Sequence, residues 1–280
     1  MHLKAEELLS MAGRDCPERW AVVYLAVEEF DKIARFLGRQ EFIPMFRIFY
    51  HDSKTGFTSV HLNPSRSHYA LQYCIYRGMQ KRMDSTFWRN QPMHEMQRVY
   101  KLWSYTAAQP DFSFLPHDLG IAKQHFPSFI METSWELTLD ELRAKVRWWF
   151  RATRGSVRVV LLVCVEPGPR GCIIIEKWSA ARADSTLKEL FIPTRKRLIR
   201  ITPATPDYDS NGDPVATRSK LARVTGGPLE IKFDDVMLRE RSLHLREPTR
   251  FVFRDQFFQK YATEVWTHAE RRYSRQSTVT

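Results

Sequence analysis

Three residues of this chain have the types and order that phosphodiester chemistry uses. Asp111 follows Pro110, Glu132 lies in the apolar run PSFIMETS, and Lys145 sits further on in a helical pattern. A carboxylate after a proline, a strand-borne carboxylate and then a helix-borne lysine is the order a metal-dependent phosphodiesterase site needs.

The elements that would carry them can be tested for reach. PSFIMETS is apolar, bounded by Pro127 and Trp135, and reads as a buried strand; the helix after it must run back across the sheet. Glu132 is ~7 Å back from Ser134 at about 3.4 Å per residue. Lys145 is ~10 Å back along the helix from Thr138, a predicted N-cap, at about 1.5 Å per residue. Carboxylate and amine can therefore lie at similar depth.

The stretch from about residue 100 to 178 resembles the PD-(D/E)xK superfamily of restriction-endonuclease-like nucleases. Pro110-Asp111, Glu132-Thr133-Ser134 and the helix and apolar strand that follow carry the resemblance. The usual lysine position is Ser134 here. The chain looks closer to a subset, found among restriction endonucleases of cyanobacteria and related fungal proteins, in which the lysine has moved into the next helix four residues before an aromatic. Lys145 stands four residues before Trp149.

The resemblance implies a DNA-directed endonuclease with Mg²⁺, or Mn²⁺, as cofactor. Asp111 and Glu132 would be metal ligands, with the Thr133 carbonyl as a third, since hard cations prefer oxygen. Such a metal polarises the scissile phosphate and lowers the pKa of a bound water, while Lys145 orients that water and offsets charge on the phosphorane. A catalytically silent nuclease-fold module that binds nucleic acid or protein is the alternative.

Each residue also has a plainer reading. Asp111 after a proline can start a turn, and Lys145 can pair with Glu141 one helical turn earlier. Glu132 is harder to dismiss, because a carboxylate in an apolar strand is costly unless paired or metal-bound. Glu230-Ile231-Lys232 is a literal carboxylate-x-lysine match but reads as an exposed, charge-alternating strand after Gly226-Gly227. Glu176 and Lys177 are adjacent on a strand, so they face opposite ways and cannot serve one site; Glu176 keeps a supporting role.

Composition narrows the partners. The 280 residues are 43% hydrophobic and 13% aromatic, enough for a sizeable core, and the formal net charge of +11 suits a polyanion such as nucleic acid. Arg195, Lys196, Arg197 and Arg200 in KELFIPTRKRLIRITPA are candidate phosphate contacts; a solvated strand face explains them as well. The cysteines, at 16, 74, 164 and 172, form no CxxC pair. Cys164 and Cys172 read as core thiols of a reducing compartment. No membrane-length apolar run or signal core stands out, so an intracellular protein of nucleus or cytoplasm is expected. A homodimer stays open.

The expected fold is α/β: a restriction-endonuclease-like core, mixed sheet flanked by helices in the order αβββαβ, over residues 41–202. Residues 1–40 are expected to be an N-terminal helical elaboration, with 17–38 one helix between Pro17 and Gly38. Residues 203–280 would add a long loop, a β-hairpin and a C-terminal helix. VRVVLLVCVE reads as a central strand buried on both faces, parallel to the strand before the helix.

Overall fold

The computed structural model describes residues 4–11, 19–37, 46–82, 98–101, 105–116, 126–168, 170–182, 191–204, 222–244 and 247–277. Two principal sheets organise them. The first contains β1 (Arg19–Tyr24), β2 (Phe46–Asp52), β3 (Phe57–Leu62), β4 (Tyr100–Lys101) and β5 (Thr106–Ala108), in the order β1-β3-β2-β5-β4. Helices α1 (Ala5–Met11) and α2 (Val27–Leu37) share its core through Leu8, Phe30, Ile33 and Leu37.

The single helix expected over 17–38 is instead a strand and a helix. All six residues of RWAVVY pair antiparallel with β3, from Arg19 opposite Leu62 to Tyr24 opposite Phe57. Trp20, Val22, Val23 and Tyr24 are β-branched or aromatic, and an available sheet edge outweighs their helical spacing. The N-terminal segment is thus part of a sheet as well as helical.

The second sheet contains β6 (Phe112–Phe114), β7 (Phe129–Ser134), β8 (Val159–Val165), β9 (Ile173–Arg182), β10 (Phe191–Thr202) and β11 (Arg223–Thr225), in the order β11-β10-β9-β8-β7-β6. Only β7 and β8 pair in parallel; the other neighbours are antiparallel. All seven residues of β8 are buried, as its unbroken apolar sequence requires.

Helices cover both faces. Helix α3 (Arg66–Gln80) starts at Ser65, whose hydroxyl accepts from the His68 amide, and contributes Leu71 and Ile75 to the core with Phe129, Met131, Leu161 and Val163. Helix α4 (Leu139–Ala152) crosses the opposite face, where Leu142, Val146 and Trp149 meet Ile130, Val160 and Leu162. It starts at the predicted cap: Thr138 and Glu141 form a reciprocal capping box. The fold is α/β, with mixed and antiparallel sheets flanked by helices.

After the second sheet, β12 (Leu229–Lys232) and β13 (Arg250–Phe253) pair antiparallel around the short helix α5 (Phe233–Met237), rather than as a tight hairpin. The long helix α6 (Asp255–Ser277) then packs on α3, and the Tyr261 hydroxyl donates to the Leu71 carbonyl at 2.9 Å. Most of the acidic loop expected after residue 203 lies outside the described residues.

Candidate functional site

Asp111, Glu132 and Lys145 belong to one buried cluster. The register pairing Phe112 with Met131 brings Asp111, one residue before β6, alongside Glu132 and Thr133 on β7. The parallel pairing of β7 with β8 forces the chain between them across the sheet as α4, and this lays Lys145 over Glu132. Lys145 Nζ donates to Glu132 Oε2 at 2.9 Å and to the Gln109 carbonyl at 3.1 Å. It also sits 4.0 Å from the centre of the Phe49 ring. Trp149, one turn further along α4, donates its indole N–H to Glu132 Oε1 at 2.6 Å.

Asp111 is held by a second set of donors. Arg47 on β2 places Nη1 2.8 Å from Asp111 Oδ1, and its Nη2 donates to the Pro110 carbonyl. His68 on α3 lies 3.4 Å from the same carboxylate oxygen. The Thr133 hydroxyl donates to Asp111 Oδ2 at 2.9 Å and its amide donates at 2.5 Å. Gln109 ties this strap to the first sheet: its amide donates to the Ile48 carbonyl, and its side-chain oxygen accepts from the Ile48 amide. The site therefore lies where the two sheets meet.

Burial sets the electrostatics. Glu132 is 0% exposed, Arg47 3% and Lys145 6%, whereas the Asp111 side chain keeps 11%. Burial pushes the Glu132 carboxyl up to about 7 against the pull of Lys145, and the Asp111 charge adds to the rise. Burial would raise Asp111 too, but Arg47, His68 and Lys145 together hold it well below the usual carboxylate range. Lys145 is lowered by burial, against the opposing effect of Glu132 and Asp111.

A divalent cation can be tested against this donor set. Two neighbouring buried carboxylates suit a hard cation in kind, and Mg²⁺ typically takes one or two carboxylates and completes its shell with water. Asp111 and Glu132 would hold it. The cluster is also balanced without one, because Arg47 and Lys145 offset the two carboxylates and every carboxylate oxygen already accepts from a protein donor. No group of three or more His, Cys, Asp or Glu side chains is arranged for a metal among the described residues.

Other predicted residues lie elsewhere. Glu132, Leu162 and Glu176 share one row across β7, β8 and β9, so Glu176 is two strands from Glu132 on the α4 face. There it is fully buried and accepts from Arg143, Arg195 and the Trp178 indole. Lys177 points the other way and donates to the Glu230 carbonyl. Leu229 and Ile231 are buried while Glu230 pairs with Arg250 at 2.7 Å, so the Glu230-Lys232 match belongs to an ordinary amphipathic strand.

Arg195, Lys196, Arg197 and Arg200 are all exposed on β10, but they form no single grip. Arg195 is drawn onto Glu176, and the register shifts between Arg195 and Arg197. Cys164 is buried as expected, and Cys172 is half-buried.

Arg47, His68 and Gln109 had no local signal for the roles they play. Arg47 and His68 sit in an ordinary strand and helix, and only the meeting of the two sheets brings them to Asp111. Trp149 carried a signal, its spacing of one helical turn from Lys145. No helix among the described residues is long and apolar enough to cross a membrane. The chain matches no family model, and no curated protein matches it.

Proposed function

We propose that this chain is a metal-dependent nuclease with a restriction-endonuclease-like core, hydrolysing phosphodiester bonds of DNA at the Asp111, Glu132 and Lys145 cluster. One observation carries the reading: three residues spread over 35 positions, of the types phosphodiester chemistry uses, meet in one cluster with Lys145 Nζ 2.9 Å from Glu132. A helix on each face of a mixed sheet, with β7 and β8 parallel, supports the nuclease-like core.

The bound cation would supply charge to the scissile phosphate and acidify a water. The chain's own residues do the rest. Thr133 and Arg47 fix the Asp111 carboxylate, Trp149 fixes Glu132, and the Lys145 ammonium, held on Glu132 Oε2, would offset charge on the phosphorane.

The rival reading, a silent nuclease-fold module that binds nucleic acid or protein, is favoured by the charge balance of the cluster and by the burial of Glu132 and Lys145. The two part in one assay. Plasmid and single-stranded DNA are incubated with the protein in Mg²⁺ or Mn²⁺, against EDTA and an Asp111→Ala/Glu132→Ala variant. Metal-dependent cutting lost in the variant is expected. Absence of cutting by folded wild-type protein in both metals would leave the silent module.

A further inference from the structure

A cleft of about 670 Å³ opens between the C-terminal half of α3 and the junction of β13 with α6, and none of the carboxylate cluster lines it. Buried Cys74, Gly78 and Tyr261 and half-buried Phe257 form its floor. Its walls carry Arg77, Lys81 and Arg82 on one side and Arg254 and Lys260 on the other, against the single carboxylate of Glu264.

Arg77, Lys81, Arg254 and Lys260 make no ion pair among the described residues. Arg77 and Lys81 lie one turn apart on the same face of α3, where like charges repel. The end of α3 favours cations there, but the opposite wall has no such excuse: Arg254 directly precedes α6, whose N-terminal amides already favour an anion. Two walls of one sign facing a common space match a ligand with several negative charges.

The floor adds a second chemistry. Phe257 is half-buried, lies edge-on to Phe253 at 4.7 Å between centroids, and is parallel to Tyr261 within 11°. Arg82 is stacked 4.5 Å over the Phe253 ring. Phe253 and Tyr261 are buried, so Phe257 is the ring of this set that a base could reach; cations on the phosphates beside an accessible ring are how proteins hold single strands. The volume falls in the range of about 300–1,000 Å³ usual for specific ligands.

We propose that this cleft binds the phosphate backbone of single-stranded nucleic acid. The identity of the polyanion rests on the proposed function, but hydrolysis is not required. The test is fluorescence anisotropy of a labelled single-stranded oligonucleotide with the full chain in EDTA, across a salt series. The Arg77→Gln/Lys81→Gln/Lys260→Gln variant is compared with an Arg195→Gln/Lys196→Gln/Arg197→Gln variant on β10.

The cleft variant is expected to bind at least tenfold more weakly and to lose about 2 units of salt slope, at about 0.7 per phosphate contact. The β10 variant should change less. All three cleft side chains lie on the rim, and a thermal melt checks the fold; Lys260→Gln alone, expected to weaken binding severalfold, serves if the triple variant is unstable. Wild-type binding that the cleft variants leave within twofold overturns the cleft while sparing the nucleic-acid reading. No binding by wild type overturns both.

Discussion

The indole of Trp149 and the carboxylate of Glu132 are 2.6 Å apart, and the other oxygen of that carboxylate holds Lys145 at 2.9 Å. A glutamate in the middle of a buried strand thus has a donor on each oxygen, both from successive turns of one helix. The pair is buried, so removing one partner strands the other. Lys145→Ala is expected to cost about 3–5 kcal/mol, whereas Glu132→Gln/Lys145→Met, which removes both charges at similar volume, should recover most of that loss. Urea unfolding of the two single variants and the double variant measures the coupling. A double variant as unstable as the sum of the singles would contradict the pairing.

Arg47 should behave in the same way toward Asp111. Arg47→Met leaves a buried carboxylate with the Thr133 donors and His68 but without its guanidinium, at a cost of about 3 kcal/mol or more. Asp111→Asn keeps the Thr133 hydrogen bonds and should cost less when introduced into the Arg47→Met background than into wild type. Denaturant midpoints at matched m-values test this.

His51 gives the protein an acid sensitivity separate from the site. It is fully buried, stacked on Phe30 at 3.6 Å and bonded to Thr58 and Ser53, and burial lowers its pKa to about 4. The unfolded chain takes up this proton near pH 6.5, before the folded one does. The stabilising contribution is therefore complete above about pH 6.5 and falls as pH drops to about 4, by roughly 3 kcal/mol or a little more at about 1.36 kcal/mol per pKa unit. Unfolding free energies at pH 7 and 4.5 should converge in His51→Gln relative to wild type.

Gly78 is where α3 approaches the start of α6. A Cβ there would stand 2.7 Å from the Phe253 ring and 2.8 Å from the Phe257 ring. Gly78→Ala removes helix-interior glycine, worth about 1 kcal/mol in favour, yet forces apart two packed aromatics at about 1–3 kcal/mol. Net destabilisation is expected, and a melting temperature raised by the substitution would show that the rings yield freely.

Local sequence determined a good deal here. The apolar run of β8, the Thr138 cap with Glu141, the helical stripe of Leu142, Val146 and Trp149, and the parallel pairing of β7 with β8 across a helix all follow from periodicity and short-range chemistry. Those same features place Glu132 and Lys145 at one depth. Residues 19–24 went the other way, because a helical spacing of apolar residues yields to strand pairing when an open edge such as that of β3 is present. The partners of Asp111 were decided only by the tertiary structure. Arg47 and His68 lie 64 and 43 residues before it, and a buried charge finds its counter-ion through the space the packed sheets leave, which no local pattern encodes.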